Sequence, residues 1–237
     1  MRILGIESSS LVASAAIYED GITMAEYTVD FKMTHSQTLL PMIDEMVKLV
    51  GIDLNTIDAI AVSGGPGSFT GLRIGSATAK GLGLALNKPL IHVPTLDATA
   101  YNLFGASGLI CPIMDARRNQ VYAAFYMWEN GKLIRLTDHM AESIERVIEI
   151  AEMLEREVIF LGDGVPVHRE RLEQNPAFLF APAHCNMQRA SALAALGAIM
   201  AEEGLAKPGN AFELIYLRKS QAEREREARL AKEEAGE

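Results

Sequence analysis

The sequence predicts an α/β fold made of two similar lobes, each a mixed sheet flanked by helices. Three observations carry that prediction. An order of three strands, helix, strand, helix opens the chain and begins again near residue 109. Each copy contains a strong hairpin signal, Asp20-Gly21 in the first and Asn130-Gly131 in the second. Finally, 49% of the 237 residues are hydrophobic, enough to fill a substantial core. No residue-level repeat accompanies the repeated order. The expected lobes are residues 1–104 and 105–217, followed by a charged tail over 218–237.

Arg2 to Glu7 is a short apolar run ending at the polar turn Ser8-Ser9-Ser10, and Val12–Ile17 and Ile22–Val29 read as two further strands. From about Gln37 or Thr38 to Val50 the period becomes helical. Leu39, Ile43, Met46 and Val50 make one stripe, Leu40 and Val47 a second, and Met42 and Leu49 a third. Pro41 then falls in the first turn, where a missing N–H costs nothing. So many apolar stripes imply more than one covered side, either within the chain or against another. Ile57–Val62 reads as a buried strand, a glycine loop and a helix to Leu86 follow, and Pro89–Val93 is the next strand.

The second copy starts after a helix over Leu96–Phe104. Leu109–Met114, Val121–Met127 and Lys132–Leu136 read as its strands, and Ser143 opens a helix to Leu154. Val158–Leu161 is a strand, and Val167–Leu172 and Arg189–Glu203 are helical. The tail carries six basic and six acidic residues and few apolar ones, the pattern of a solvated segment.

The net charge of 22 − 31 = −9 argues against strong nucleic-acid binding by this chain alone. No apolar run reaches the roughly 20 residues of a membrane helix. Two unpaired cysteines, Cys111 and Cys185, suggest neither a disulfide scaffold nor a zinc site, and a reducing cytoplasm is the expected compartment.

The richest stretch is Ser63-Gly64-Gly65-Pro66-Gly67-Ser68-Phe69-Thr70-Gly71, between a strand and a helix, where backbone N–H groups can cradle a phosphate. It is neither a Walker A loop nor a nucleophile elbow. Gly65, Gly67 and Thr70 are the candidate phosphate contacts, with Glu7 beside the serine turn as a weak Mg²⁺ holder. The plainer reading is a tight turn capped by Thr70. Gly71, Gly75, Ala79 and Gly83 recur every four residues, a small-residue stripe suited to close helix contact within this chain or with another. Candidate interface residues are therefore Leu39, Met42, Met46 and Leu49 on the first helix and these four on the second. Asp115-Ala116-Arg117-Arg118 reads as an anion clamp or as a solvated hairpin tip, and Gly162-Asp163-Gly164 as a turn lining the cleft. The five histidines include no His-x-x-x-His pair, so no metal ligand and no catalytic residue is assigned.

The run SGGPGSFTGLRIGSATAKGLGLAL resembles the signature of the TsaB (YeaZ) family. ILGIESSS, PIMDARRNQVYAAFY, the GDG turn and YLRKSQAE resemble that family in the same order, over residues 1–222. The resemblance implies the fold of actin, sugar kinases and heat-shock chaperone ATPases. It also implies a non-catalytic subunit without a cofactor of its own, pairing with its metal- and nucleotide-binding paralogue TsaD and with the ATPase TsaE. Together these would transfer a threonylcarbamoyl group to the adenosine beside the anticodon of tRNAs reading codons that begin with A. Residues 38–50 and 70–86 resemble the helices the family uses to pair with TsaD or with itself, so a homodimer is expected without the partner. A nucleotide at the shared interface is left open. Glu7 stands where many relatives carry Asp, which speaks against ordinary Mg²⁺–phosphate geometry there. The alternative, an autonomous ATPase or kinase, is disfavoured by Asp115-Ala116-Arg117 where a phosphate turn with glycine would be needed. A glycoprotease would need a metal or nucleophile that no local pattern marks.

Overall fold

β1 (Arg2–Glu7), β2 (Ala13–Glu19) and β3 (Ile22–Val29) form the antiparallel run that the sequence predicts. The computed structural model describes residues 1–31 and 35–218, so the tail lies outside the described residues from 219 onward. Asp20 and Gly21 both take positive φ, 46° and 89°, the turn geometry that matches the twist of the flanking strands. β4 (Ala59–Ser63) and β5 (Leu90–Val93) extend the sheet in parallel, giving the order β3-β2-β1-β4-β5.

Two helices cover one face of this sheet. α1 (His35–Val50) begins two to three residues earlier than expected, so Pro41 sits inside the helix rather than in its first turn. α2 (Phe69–Leu86) is capped by Ser68, whose side chain accepts from Gly71 N–H at 3.3 Å; Thr70, the expected cap, is exposed. Strand alternation divides the sheet between two cores. Leu4, Ile6, Ile60 and Val62 point to α1 and α2, while Ile3, Ala59 and Ala61 point to the opposite face.

α3 (Thr95–Tyr101) leads into the second lobe, where β6 (Leu109–Asp115), β7 (Gln120–Ala123), β8 (Tyr126–Glu129), β9 (Lys132–Arg135) and β10 (Met140–Ser143) are mostly antiparallel. The single strand expected over Val121–Met127 is broken. β7 pairs with the far end of β6 and with β10, whereas β8 pairs with Ile110 and β9. At the break both backbone groups of Phe125 are satisfied, its N–H donating to Thr137 Oγ1 at 3.0 Å and its carbonyl accepting from Leu136 N–H at 2.7 Å. α4 (Ile144–Met153) is capped by Ser143 as expected. β11 (Val158–Leu161), α5 (Gly164–Leu172), β12 (Phe178–Phe180), α6 (Ala183–Asn186) and α7 (Ala190–Glu202) complete the order. The sheet runs β10-β7-β6-β11-β12, with β8 and β9 attached at β6.

Packing does not follow the sequence boundary at 104/105. α7, counted with the second lobe, buries Leu193, Ala194 and Ala198 against the first sheet. α3, counted with the first, buries Leu96 and Ala100 against Ile110, Met114 and Tyr126 of the second. Each lobe thus lends a helix to the other, and Asn102 Nδ2 secures the crossing by donating to the carbonyls of Cys185 (3.1 Å) and Met187 (2.8 Å). After α7 the chain returns along the first lobe as a strap. Lys207 exchanges both backbone hydrogen bonds with Leu90, covering the outer edge of β5, and Phe212 is buried in the first core.

Candidate functional site

The lobes meet around a cleft of about 550 Å³. Its first-lobe wall is the Ser9–Leu11 turn and the Gly67–Thr70 start of α2; its second-lobe wall is Met114–Arg117, Tyr122, Asp163 and Val167. Tyr216 and Arg218, from the strap, complete it.

Glu7 does not face this space. It is buried, and its Oε1 accepts from Ser9 N–H at 2.6 Å. Burial pushes its carboxyl above the ordinary value, opposed by hydrogen bonds from Ser9 and Ser63. The Mg²⁺ holder expected at Glu7 is corrected on position: the carboxylate is buried against Ser9 and does not line the cleft. Gly65 is also elsewhere: its φ is +110°, and a Cβ there would overlap the Ile215 carbonyl of the strap. Of the four phosphate-loop candidates, only Gly67 and Thr70 line the cleft.

The interface stripes are corrected as well. Leu39, Met42 and Met46 are buried in the first core, as is Ala79. Gly71, Gly75 and Gly83 are buried too, because α2 lies against the Ser8 turn and Leu90; a Cβ at Gly75 would overlap Ser8 Oγ. The small-residue stripe therefore serves contact within this chain. Of the eight candidates only Leu49 is exposed, at 73%, and Leu40 and Leu84 (87%) are the other exposed leucines of these helices.

The second-lobe wall carries the charge. Asp115 pairs with Arg117 Nη1 at 3.1 Å, and Arg117 is largely exposed. Asp163 is pushed up to about 6 by burial, with a hydrogen bond from Gln188 opposing the rise. Gln188 Nε2 donates to Asp163 Oδ1 at 3.1 Å and its Oε1 accepts from Ser10 Oγ at 2.9 Å, a polar relay joining the lobes. Asp163 was legible as a cleft turn; buried Gln188 had no local signal. A second cluster escaped the sequence. Asp97 of α3 accepts from Tyr126 OH and His139 Nε2, both at 2.7 Å. Burial works to raise Asp97, but these two hydrogen bonds outweigh it and hold the carboxyl low. The cluster ties α3 to the second lobe and does not line the cleft. Among the described residues no three His, Cys, Asp or Glu are grouped to hold a metal, and Cys111 and Cys185 are free thiols.

A family model described as TsaD: tRNA N6-adenosine threonylcarbamoyltransferase matches residues 30–225. The chain is 33% identical over 173 residues to the tRNA threonylcarbamoyladenosine biosynthesis protein TsaB of Bacillus subtilis (strain 168), covering 73% of this chain and 76% of that one. The chain belongs to the TsaB family. The structure is similar to that of YeaZ from Pseudomonas aeruginosa, at a TM-score of 0.78 and 26% identity, over 91% of this chain and 99% of that one. The (R)-2-hydroxyglutaryl-CoA dehydratase component A of Acidaminococcus fermentans, at 12% identity and a TM-score of 0.50, covers 85% of this chain and 99% of that one and shares the fold alone. TsaB-family membership connects the chain to tRNA threonylcarbamoyladenosine biosynthesis, on a two-lobed α/β fold. Among the described residues no helix is long and apolar enough to cross a membrane.

Proposed function

We propose that this chain is a non-catalytic accessory subunit that pairs with TsaD, and acts with TsaE, in transferring a threonylcarbamoyl group to the adenosine beside the anticodon. The observation that carries this reading is the fate of Glu7: the carboxylate ending β1 is folded inward and spent on Ser9. The acids that do line the cleft are also engaged, Asp115 with Arg117 and Asp163 with Gln188. General acid–base chemistry needs a carboxylate aimed at the proton it moves, and both of these are committed to other partners. Kinship to a TsaD family model supports pairing with a sister protein of like fold. With the glycine stripe turned inward, the pairing surface on α1 and α2 is the outward one bearing Leu40, Leu49 and Leu84. The compartment is the reducing cytoplasm.

The test is a size measurement of the chain with and without TsaD, joined to tRNA modification by the reconstituted components. A stable complex, and modification that needs this chain, is the expected result. Modification at full rate without it, or ATP turnover by the isolated chain, overturns the reading. Leu49→Arg with Leu84→Arg should weaken the complex about a hundredfold while leaving the fold intact, since both side chains are exposed.

A further inference from the structure

The strap is firmly seated on the first lobe. Besides Lys207 and Phe212, Ile215 N–H donates to the Gly64 carbonyl at 2.8 Å, and His92 Nδ1 donates to the Glu213 carbonyl at 2.9 Å. Beyond Ile215 it runs out over the cleft. Tyr216 lies against Phe69 at 5.2 Å between rings, its hydroxyl accepts from Arg73 Nε at 3.3 Å, and the Arg73 guanidinium covers the Phe69 ring at 3.8 Å. Arg218 then reaches the other lobe, donating from Nη1 to the Ala116 carbonyl at 2.6 Å.

What Arg218 grips is under strain. Arg117, Arg118 and Asn119 take φ of 64°, 56° and 60°, three successive side-chain-bearing residues in the left-handed region. Such a tip persists only where its surroundings hold it. Arg117 N–H donates to Asp115 Oδ1 at 2.8 Å and Ala116 N–H to the Gln120 carbonyl at 2.9 Å, with Arg218 clasping the remaining group of Ala116. The two sides of the lobe junction also differ in kind. Along α3 and α7 the lobes are joined by exchanged apolar packing, which does not open piecemeal. At the cleft they are joined by the Ser10–Gln188–Asp163 relay and by Arg218. Gln188 and Ser10 are buried, so of these contacts the half-buried Arg218 one borders water and is the one that opens first.

We propose that residues 212–218 are a latch across the cleft, hooked by Arg218 onto the Asp115–Gln120 hairpin, so that the C-terminal segment sets how far the lobes part. A carboxylate or phosphate presented to Arg218 by any partner competes with the Ala116 carbonyl for the guanidinium and releases the hook, because a charged acceptor outbids a neutral one. The proposal does not depend on pairing with TsaD.

The test uses the full chain with spin labels at Leu49→Cys on α1 and Met153→Cys on α4, both exposed positions, in a Cys185→Ala background that leaves only buried Cys111. Inter-label distances are measured with Arg218 present, with Arg218→Ala and with Arg218→Lys. The alanine variant should broaden the distribution toward longer distances and speed amide exchange at Ala116 and Gln120 about tenfold. Lysine, whose ammonium can donate to the same carbonyl, should return both readings most of the way. An alanine variant that matches the parent, or a lysine variant no closer to the parent than alanine, overturns the latch. So does exchange that accelerates equally in β1 and β6, which would report general destabilisation.

Discussion

The two lobes share an element order and end their first strand on a carboxylate, yet they do opposite things with it. Glu7 is sealed beneath the start of α2, where its oxygen is consumed by Ser9. Asp115 stands at the cleft beside an exposed arginine. The difference comes from the neighbour, not the strand. In the first lobe the glycine face of α2 lets the helix settle onto the serine turn and close it. In the second lobe the following hairpin tip, over 116–119, is basic and largely exposed. Like topology therefore supplies equivalent positions, while the packing over each position decides its chemistry.

Four measurements can break or sharpen that contrast. The largest effect belongs to Gly75→Leu, which drives a side chain into Ser8 Oγ and the sealed turn. We expect a loss of about 3 kcal/mol or more, seen as thermal unfolding well below that of the parent. Unchanged stability would show that the first-lobe turn is not closed by α2. Next is Glu26→Ala. Glu26 receives Arg189 Nε at 3.1 Å, Ser191 Oγ at 2.7 Å and Ser191 N–H at 3.0 Å, pinning the start of α7 to β3. Its removal should cost about 2 kcal/mol in denaturant melts and loosen α7 together with the first sheet. Loosening with the second sheet instead would contradict the helix exchange.

Asp163→Asn tests the second lobe and has the opposite sign. The native carboxyl is raised to about 6 from 3.8, so the ionised form is penalised in the folded protein above that pH. The native chain gains stability as pH falls from about 6 toward 3.8, where both states carry the proton. The neutral amide should therefore melt higher by about 1–2 kcal/mol at pH 7.5, with the advantage gone near pH 4. His92 works the other way: burial lowers it, so its share of stability is whole above its unfolded value and is lost as pH drops below it. The smallest effect is Gly81→Ala. Nothing lies within 4 Å of a Cβ there, unlike Gly75 on the same helix. It should stabilise by about 0.5–1 kcal/mol on thermal melting, and a loss would mean that the outward side of α2 is covered.

Legibility followed the range of the forces involved. Asp20-Gly21, Asn130-Gly131 and the Ser143 cap were readable because a turn or cap is settled within four residues. β10 and β12 were not, since strands of four and three residues carry too little alternation to stand out. The glycine stripe on α2 reads as a surface for close contact with another helix, yet it meets chiefly the Ser8 turn and Leu90, because no periodicity says what a stripe contacts. Gln188 and the Asp97–Tyr126–His139 cluster join residues many positions apart, so neither left a local pattern.

By itself the sequence determined the two-lobed α/β order, the family and the basic hairpin tip after β6, because periodicity, turn chemistry and motif spacing are written in neighbouring residues. Tertiary structure alone decided which helix covers which sheet, that Glu7 is turned inward while Asp163 is joined to Gln188, and that the strap returns to bridge both lobes. Those outcomes depend on burial and on partners more than a hundred residues apart, such as Arg218 and Ala116, and no local energy term distinguishes them before the chain has folded.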